Sequence, residues 1–263
     1  MPTRAIVTIL LLSVMSAATL AQRGGNRYFG APAFQDKGNV HAKYDGRWAF
    51  VRLRYSGGMG SRQGPPWSHD YPDGEHHFMQ ILDGVTNLDA RLDMTQIMSL
   101  DDPELFKYPI AYMAEPGFWT VTDKEAESFR AYLQKGGFAI FDDFHSVDRA
   151  AGGGDDWPYF AATMEKVLPG VKFIDLTPAH PIYHTFFEIE SFDIVQQYYD
   201  PGRPVFRAVF EDNDPKKRML CMINYNTDIS EFWEWSPSGF KPISESNLAY
   251  QIGVNWIIYG MTR

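Results

Sequence analysis

Apolar positions along this chain switch repeatedly between runs suited to buried strands and a helical period. "WAFVRLRY", Trp48 to Tyr55, predicts a first strand, followed by the Gly/Pro loop "SGGMGSRQGPP" and the polar stretch "WSHDYPDGEHHF". Phe78, Ile81, Leu82 and Val85 recur at helical spacing, which predicts a helix from about Glu75 to Leu88. Ala90 to Met94 reads as a short strand, and "YPIAYMAEPG" as a buried strand running into a turn. The helix "TDKEAESFRAYLQKGG" is bracketed by a capping box, Thr122 with Glu125, and by a Gly136-Gly137 stop. "FAIFDD" is the next strand, Trp157 to Leu168 the next helix and "VKFIDL" a further strand. This alternation predicts an α/β domain whose mainly parallel sheet is covered on both faces.

The last third changes character. "PVFRAVFEDNDPKKRMLCMINYN" predicts two strands joined by a turn at Asp212 to Lys216, and Ser246 to Met261 a closing amphipathic helix. The pattern gives one domain from 48 to 263. Ahead of it, Arg4, the apolar run Ala5 to Leu20 and the small residues of Thr19-Leu20-Ala21 read as a secretory signal peptide cleaved before Gln22. A Gly-rich, polar, flexible leader is expected over 22–47.

Removing 21 of the 263 residues leaves 242, enough for one large core. Losing Arg4 takes the formal net charge from −9 to −10, which argues against nucleic acid and anionic lipid as partners. Cys221 is the only cysteine, so no intramolecular disulfide can form. Export without disulfides fits a periplasmic or secreted protein with no stable membrane insertion after cleavage.

In open parallel sheets, ligands bind beyond the carboxyl ends of the strands. Asp142, Asp143 and His145 lie at such an end, in "FAIFDDFHS", and are the candidate catalytic residues. Glu115 and Trp119 follow "IAYMA", and the loop after the first strand carries Trp67, His69, Asp70 and Tyr71. These segments should converge on one rim. Side chains alternate across a strand, so Asp142 and Asp143 should part. One should face the rim with Asp70 and Glu115, the other being absorbed by backbone amides of the following loop.

Asp142, Asp143, His145, His69, His76 and His77 are all able to ligate a divalent ion, but no spacing matches a defined zinc or calcium motif. No metal site or cofactor is therefore expected, and polar groups capping a strand end are the alternative. Ser146 lacks a nucleophile-elbow frame, Cys221 reads as a core residue, and "HPIYH" with His180 and His184 reads as a turn. Trp67, Trp119, Trp157, Trp233 and Trp235 fall in loops or at loop edges, with Asn224, Asn226, Asp228 and Glu231 beside the last two. Flat apolar faces next to amides and carboxylates suit sugar rings, and indoles plugging the sheet ends are the alternative. The ligand-binding candidates are Trp67, Asp70, Tyr71, Glu115, Trp119, Asn224, Asn226 and Trp233.

The set "FVRLRY", "WSHDYP", "GGFAIFDD", "HPIYHTFF", "NYNTDISEFWEW" and "IGVNWIIYGMT", spanning Ala49 to Arg263, resembles the bacterial family filed as domain of unknown function 4159. That family lends no activity, so no residue role is carried over. More distantly, the order of "GGF" strand, "HPI", "KRMLCMINYN" strand and closing helix is similar to the trehalose-utilisation-type branch of the class I glutamine amidotransferase-like superfamily. That likeness implies a flavodoxin-like three-layer sandwich. The amidotransferase cysteine and its His-Glu partners have no match, so glutaminase activity is not expected. Two functions are expected as alternatives. One is a binding or interaction module for a small molecule or carbohydrate. The other is a hydrolase, metal-dependent or not, using Asp142, Asp143 and His145.

Overall fold

The apolar runs become the strands of a mixed sheet. The structure, a computed structural model, describes residues 35–58, 64–144, 155–192 and 203–263; the expected signal peptide, His145 and Ser146 lie outside them. Among the described residues, seven strands form the sheet: β1 (Val51–Arg54), β2 (Gln96–Ser99), β3 (Ile110–Ala114), β4 (Phe138–Asp142), β5 (Ile174–Asp175), β6 (Val205–Phe210) and β7 (Met219–Tyr225). Their order is β2-β1-β3-β4-β7-β6-β5. The first five are mutually parallel, with Ile110 to Ala114 in register with Phe138 to Asp142. β6 runs antiparallel to β7, and β5 antiparallel to β6. β1 has β2 on one side and β3 on the other, so the winding reverses there, which opens a crevice at the strands' carboxyl ends.

Helices cover both faces. α1 (Asp73–Val85), α4 (Ile229–Glu234) and α5 (Ile243–Thr262) share one core with Tyr112 and Ile140, and Phe78 of α1 stacks on Trp233 of α4 at 4.3 Å between ring centres. α2 (Asp123–Gln134) and α3 (Trp157–Val167) lie on the other face, where Phe141 meets Phe129 and Phe160. Ile140 and Phe141, neighbours on β4, thus feed opposite layers, as strand alternation requires. The capping box is present: the Thr122 hydroxyl accepts from the Glu125 amide at 3.2 Å, and Glu125 accepts from the Thr122 amide at 2.8 Å.

Three expectations change. The second strand is Gln96–Ser99, not Ala90 to Met94; Ala90 makes only an isolated bridge to Trp48, and the Arg91 side chain is spent on Asp45. "VKFIDL" keeps only Ile174–Asp175 as strand and pairs antiparallel, at the sheet's far edge. Part of the expected leader is structured. Val40 bridges to Ile97, the Ala42 amide donates to Gln96 Oε1 at 2.8 Å, and Asp36 pairs with Arg54.

Cys221 sits mid-β7 in register with Ala139, fully buried, and burial pushes its thiol far up. Thiol reagents should therefore label the native protein only slowly, and Cys221→Ala should cost about 1 kcal/mol in a urea titration. Rapid labelling in native buffer would contradict this placement.

Candidate functional site

Three parallel strands end in the same way. Glu115 follows β3, Asp143 follows β4 and Asn226 follows β7, each directly and each with a left-handed backbone, φ 44°, 64° and 56°. Asp70, in the loop after β1, is left-handed too, φ 59°. Asp and Asn tolerate this region better than most residues, whereas Glu115 bears a cost of about 1–2 kcal/mol. Each turn stops the ladder at once and leaves a polar side chain at the carboxyl edge.

Asp142 and Asp143 part as alternation predicts. Asp142 is fully buried, and its Oδ2 accepts from the amides of Ile229 and Ser230, both at 3.0 Å. Tyr112 Oη lies 2.8 Å from the same oxygen, and Asn224 Nδ2 donates to Oδ1 at 3.0 Å. The amides come from α4, after β7, and not from the loop that follows β4. Burial pushes Asp142 up to about 7, with the hydrogen bonds from Tyr112 and Asn224 pulling the other way and the charge of Asp143 adding to the rise.

Asp143 takes the rim. Its Oδ2 lies 2.6 Å from His69 Nδ1, which is also 3.7 Å from Glu115 Oε1 and 4.0 Å from Asp70 Oδ1. The His69 side chain is 46 % exposed, whereas Asp143 is fully buried. The Asp70 charge foremost, then that of Asp143 with its hydrogen bond, holds the imidazolium well above the ordinary histidine range against the cost of burial. Asp228, the N-cap of α4, completes the group. Its Oδ1 accepts from the Glu231 amide at 2.9 Å, and burial, then the charges of Asp143 and Asp70, push its carboxyl well up. Ser230 Oγ lies 2.6 Å from Asp70 Oδ2, 3.2 Å from Asp228 Oδ1 and 2.7 Å from Tyr112 Oη.

His69, Asp70, Asp143 and Asp228 each bring one donor atom to within 4.8 Å of the others. Atoms bound to one ion at 2.0–2.4 Å lie no further apart than about this distance. An oxygen-rich set with one imidazole suits Mn²⁺ or Zn²⁺. Such a set matches no spacing motif, because these residues come from the ends of three strands, although His69 and Asp143 are among the residue types able to ligate an ion.

The loop that carries His69 is tied down from beneath. Arg52 of β1 is fully buried, pairs with Glu75 of α1, and donates from Nη1 to the Trp67 carbonyl at 2.8 Å.

Several expected ligand-binding residues belong elsewhere. Trp67, Trp119 and Trp233 are 2 %, 2 % and 1 % exposed, so they offer no face to a sugar. Trp119 stacks on Phe141 instead, and Trp233 on Phe78. Trp157 is half-buried under the Arg207 guanidinium, 3.9 Å from its ring centre, and Trp235 packs on Phe240. Asn224 is buried and serves Asp142, while buried Asn226 donates to the Arg203 carbonyl at 3.2 Å. Tyr71 is half-buried beside Asp70. His76 bonds Gln80, His77 bonds the Trp233 carbonyl, and His184 bonds Glu188, so none joins the cluster. Ser230 and Tyr112 are not among the candidates the sequence offers, and Asp228 enters there only as a carboxylate beside the tryptophans. Only Asp228 carried a local signal, the N-cap spacing of "DISE" with Glu231 at the third position.

A family model described as Domain of unknown function (DUF4159) matches residues 49–261. A comparison with curated proteins finds none that matches this chain.

Proposed function

We propose that this chain, which belongs to the DUF4159 family, binds a divalent cation at the carboxyl edge of its sheet and uses it to hydrolyse a small polar substrate. The observation that supports this reading is the convergence of His69, Asp70, Asp143 and Asp228. With His69 deprotonated, as ligation requires, the three carboxylates carry a formal charge of −3, in a place where Asp70, Asp143 and Asp228 are almost without water. Uncompensated charge is costly there, and a divalent cation, opposite in sign, offsets most of it.

Water is the nucleophile in this proposal, because Ser230 and Cys221 are both buried. Glu115, 12 % exposed and beside His69, is placed to take a proton from it. The parallel strands follow the order β2-β1-β3-β4-β7, the flavodoxin-like order, which supports reading the layers as that fold. The likeness to class I amidotransferases then concerns layout alone.

Calorimetric titration of chelator-treated protein with MnCl₂ and ZnCl₂ tests the reading. One ion per chain should bind, and Asp143→Asn should abolish it. At a free concentration a hundredfold above Kd, the ion should stabilise the fold by about 2.7 kcal/mol. Wild-type protein that takes up neither ion, or an Asn variant that binds as well as wild type, would refute it.

A further inference from the structure

We infer that Ser230 and Tyr112 are positioning residues of this centre: their paired hydroxyls fix which oxygen of Asp70 and of Asp228 is left to face an ion. The inference rests on the cation reading above. Ser230 Oγ has three oxygens around it, Asp70 Oδ2 at 2.6 Å, Asp228 Oδ1 at 3.2 Å and Tyr112 Oη at 2.7 Å. The two carboxylates come from distant segments, one from the loop after β1 and the other from the cap of α4. Neither segment pairs with the other as a strand. The serine hydroxyl bridges them directly, its single proton shared between Asp70 Oδ2, the nearer acceptor, and Asp228 Oδ1.

The division of labour is visible oxygen by oxygen. Asp70 gives Oδ2 to Ser230, and its Oδ1 is the atom 4.0 Å from His69 Nδ1. Asp228 gives Oδ1 to Ser230 and to the Glu231 amide. A carboxylate held by one oxygen cannot rotate freely, so its second oxygen keeps a fixed direction. Tyr112 extends the arrangement downward, because its Oη joins Ser230 Oγ to Asp142 Oδ2. Asp142 is anchored in turn by the Ile229 and Ser230 amides. The bridging hydroxyl is thus fixed through both its own backbone and Tyr112. Partners of this kind, one bond removed from the ion, commonly govern metal affinity by 10–100-fold.

The test separates positioning from packing. Ser230→Ala, Ser230→Thr and Tyr112→Phe would be compared with wild type for Mn²⁺ affinity by calorimetry, and for the melting temperature with and without the ion. Ser230→Ala should weaken Mn²⁺ binding about 10–100-fold, with Tyr112→Phe toward the low end of that range. Ser230→Thr, which retains the hydroxyl, should recover most of the affinity. The ion-induced rise in melting temperature should shrink in the first two variants by more than the ion-free melting temperature falls. Hydroxyl-deleted variants that bind Mn²⁺ as tightly as wild type would overturn the inference, as would a Thr variant no better than Ala at equal ion-free stability. If Ser230→Ala does not fold, Tyr112→Phe decides alone. Wild-type protein that ignores Mn²⁺ would instead sink the cation reading, and this inference with it.

Discussion

Asp142→Ala is expected to destabilise the protein by about 3–5 kcal/mol. The change strands three buried donors at once, Asn224 Nδ2 and the amides of Ile229 and Ser230, while Tyr112 Oη loses one partner and keeps Ser230 Oγ. Each unsatisfied buried donor costs about 1–3 kcal/mol, partly offset because a poorly solvated carboxyl is removed. For a domain of this size, the melting temperature should fall by roughly 6–20 °C. Asp142→Asn should cost only about 1 kcal/mol or less. The new amide keeps an oxygen for Ile229, Ser230 and Tyr112. Its nitrogen can be met by Asn224 turned over, because Asn224 Oδ1 is buried without a hydrogen-bond partner. Urea unfolding of both variants decides the matter. If Asn is as damaging as Ala, the charge itself is what matters, and this account of Asp142 as an acceptor hub is wrong.

The ion-free protein should lose stability as pH rises from about 4 to about 7 and beyond. Asp142 is pushed up to about 7 by burial, and Asp228, Glu231 and Glu75 are raised for the same leading reason. In that window the folded chain keeps protons that the unfolded chain has released, so stability falls with pH. At about 1.4 kcal/mol per pH unit, Asp142 alone contributes on the order of 4 kcal/mol, less whatever its acidic neighbours share. His69 acts in the same direction. Its raised folded value gives stability that is complete below about 6.5 and lost as pH climbs through that raised value. The lowered carboxyls of Asp36, Asp45 and Asp101 act oppositely, but they are solvated surface pairs of small worth. Chemical unfolding in EDTA should therefore give greater stability near pH 5 than near pH 8. The slope should flatten in Asp142→Asn, and flatten further with saturating Mn²⁺, which competes with protons for the same atoms. Stability that rises with pH across this range would show that the cluster is better solvated than its geometry indicates.

Local signals in the sequence carried the helices and the central strands well. Thr122 with Glu125 marked the start of α2 within a four-residue window, and the unbroken apolar runs of β3 and β4 announced strands buried on both faces. β2 was misplaced because "ARLDM" and "QIMS" are equally strand-like in isolation, and only pairing with β1 distinguishes them. The direction of β5 depends on which edge it reaches, which no local pattern encodes.

At the candidate site, Glu115 and Asp143 were legible because each directly follows an apolar strand, and Asp70 because it lies in the loop after one. The separation of Asp142 from Asp143 was legible from alternation alone. Asp228 became a rim residue only because β7 lies beside β4, a neighbour relation set by topology. Tyr112, inside "PIAYMA", looked like any other buried aromatic. The indoles misled in the opposite way. A tryptophan in a loop carries no mark of which way it turns, and here Trp67, Trp119 and Trp233 turn inward.

The segment running past Val40 bears on how the protein avoids sticking to itself. An edge strand with open backbone groups is a template for another chain, and a route to aggregation. β2 is an outer strand of the parallel part of the sheet, yet Ile97 at its centre has both backbone groups taken, its carbonyl by the Val40 amide at 2.8 Å and its amide by the Val40 carbonyl at 2.6 Å. A shortened form starting at Trp48 would uncover that edge and leave β2 free to dock with β2 of a second molecule. The stretch ahead of the first strand thus acts as a guard rail, keeping a sheet that could grow by one more strand from recruiting it from a stranger.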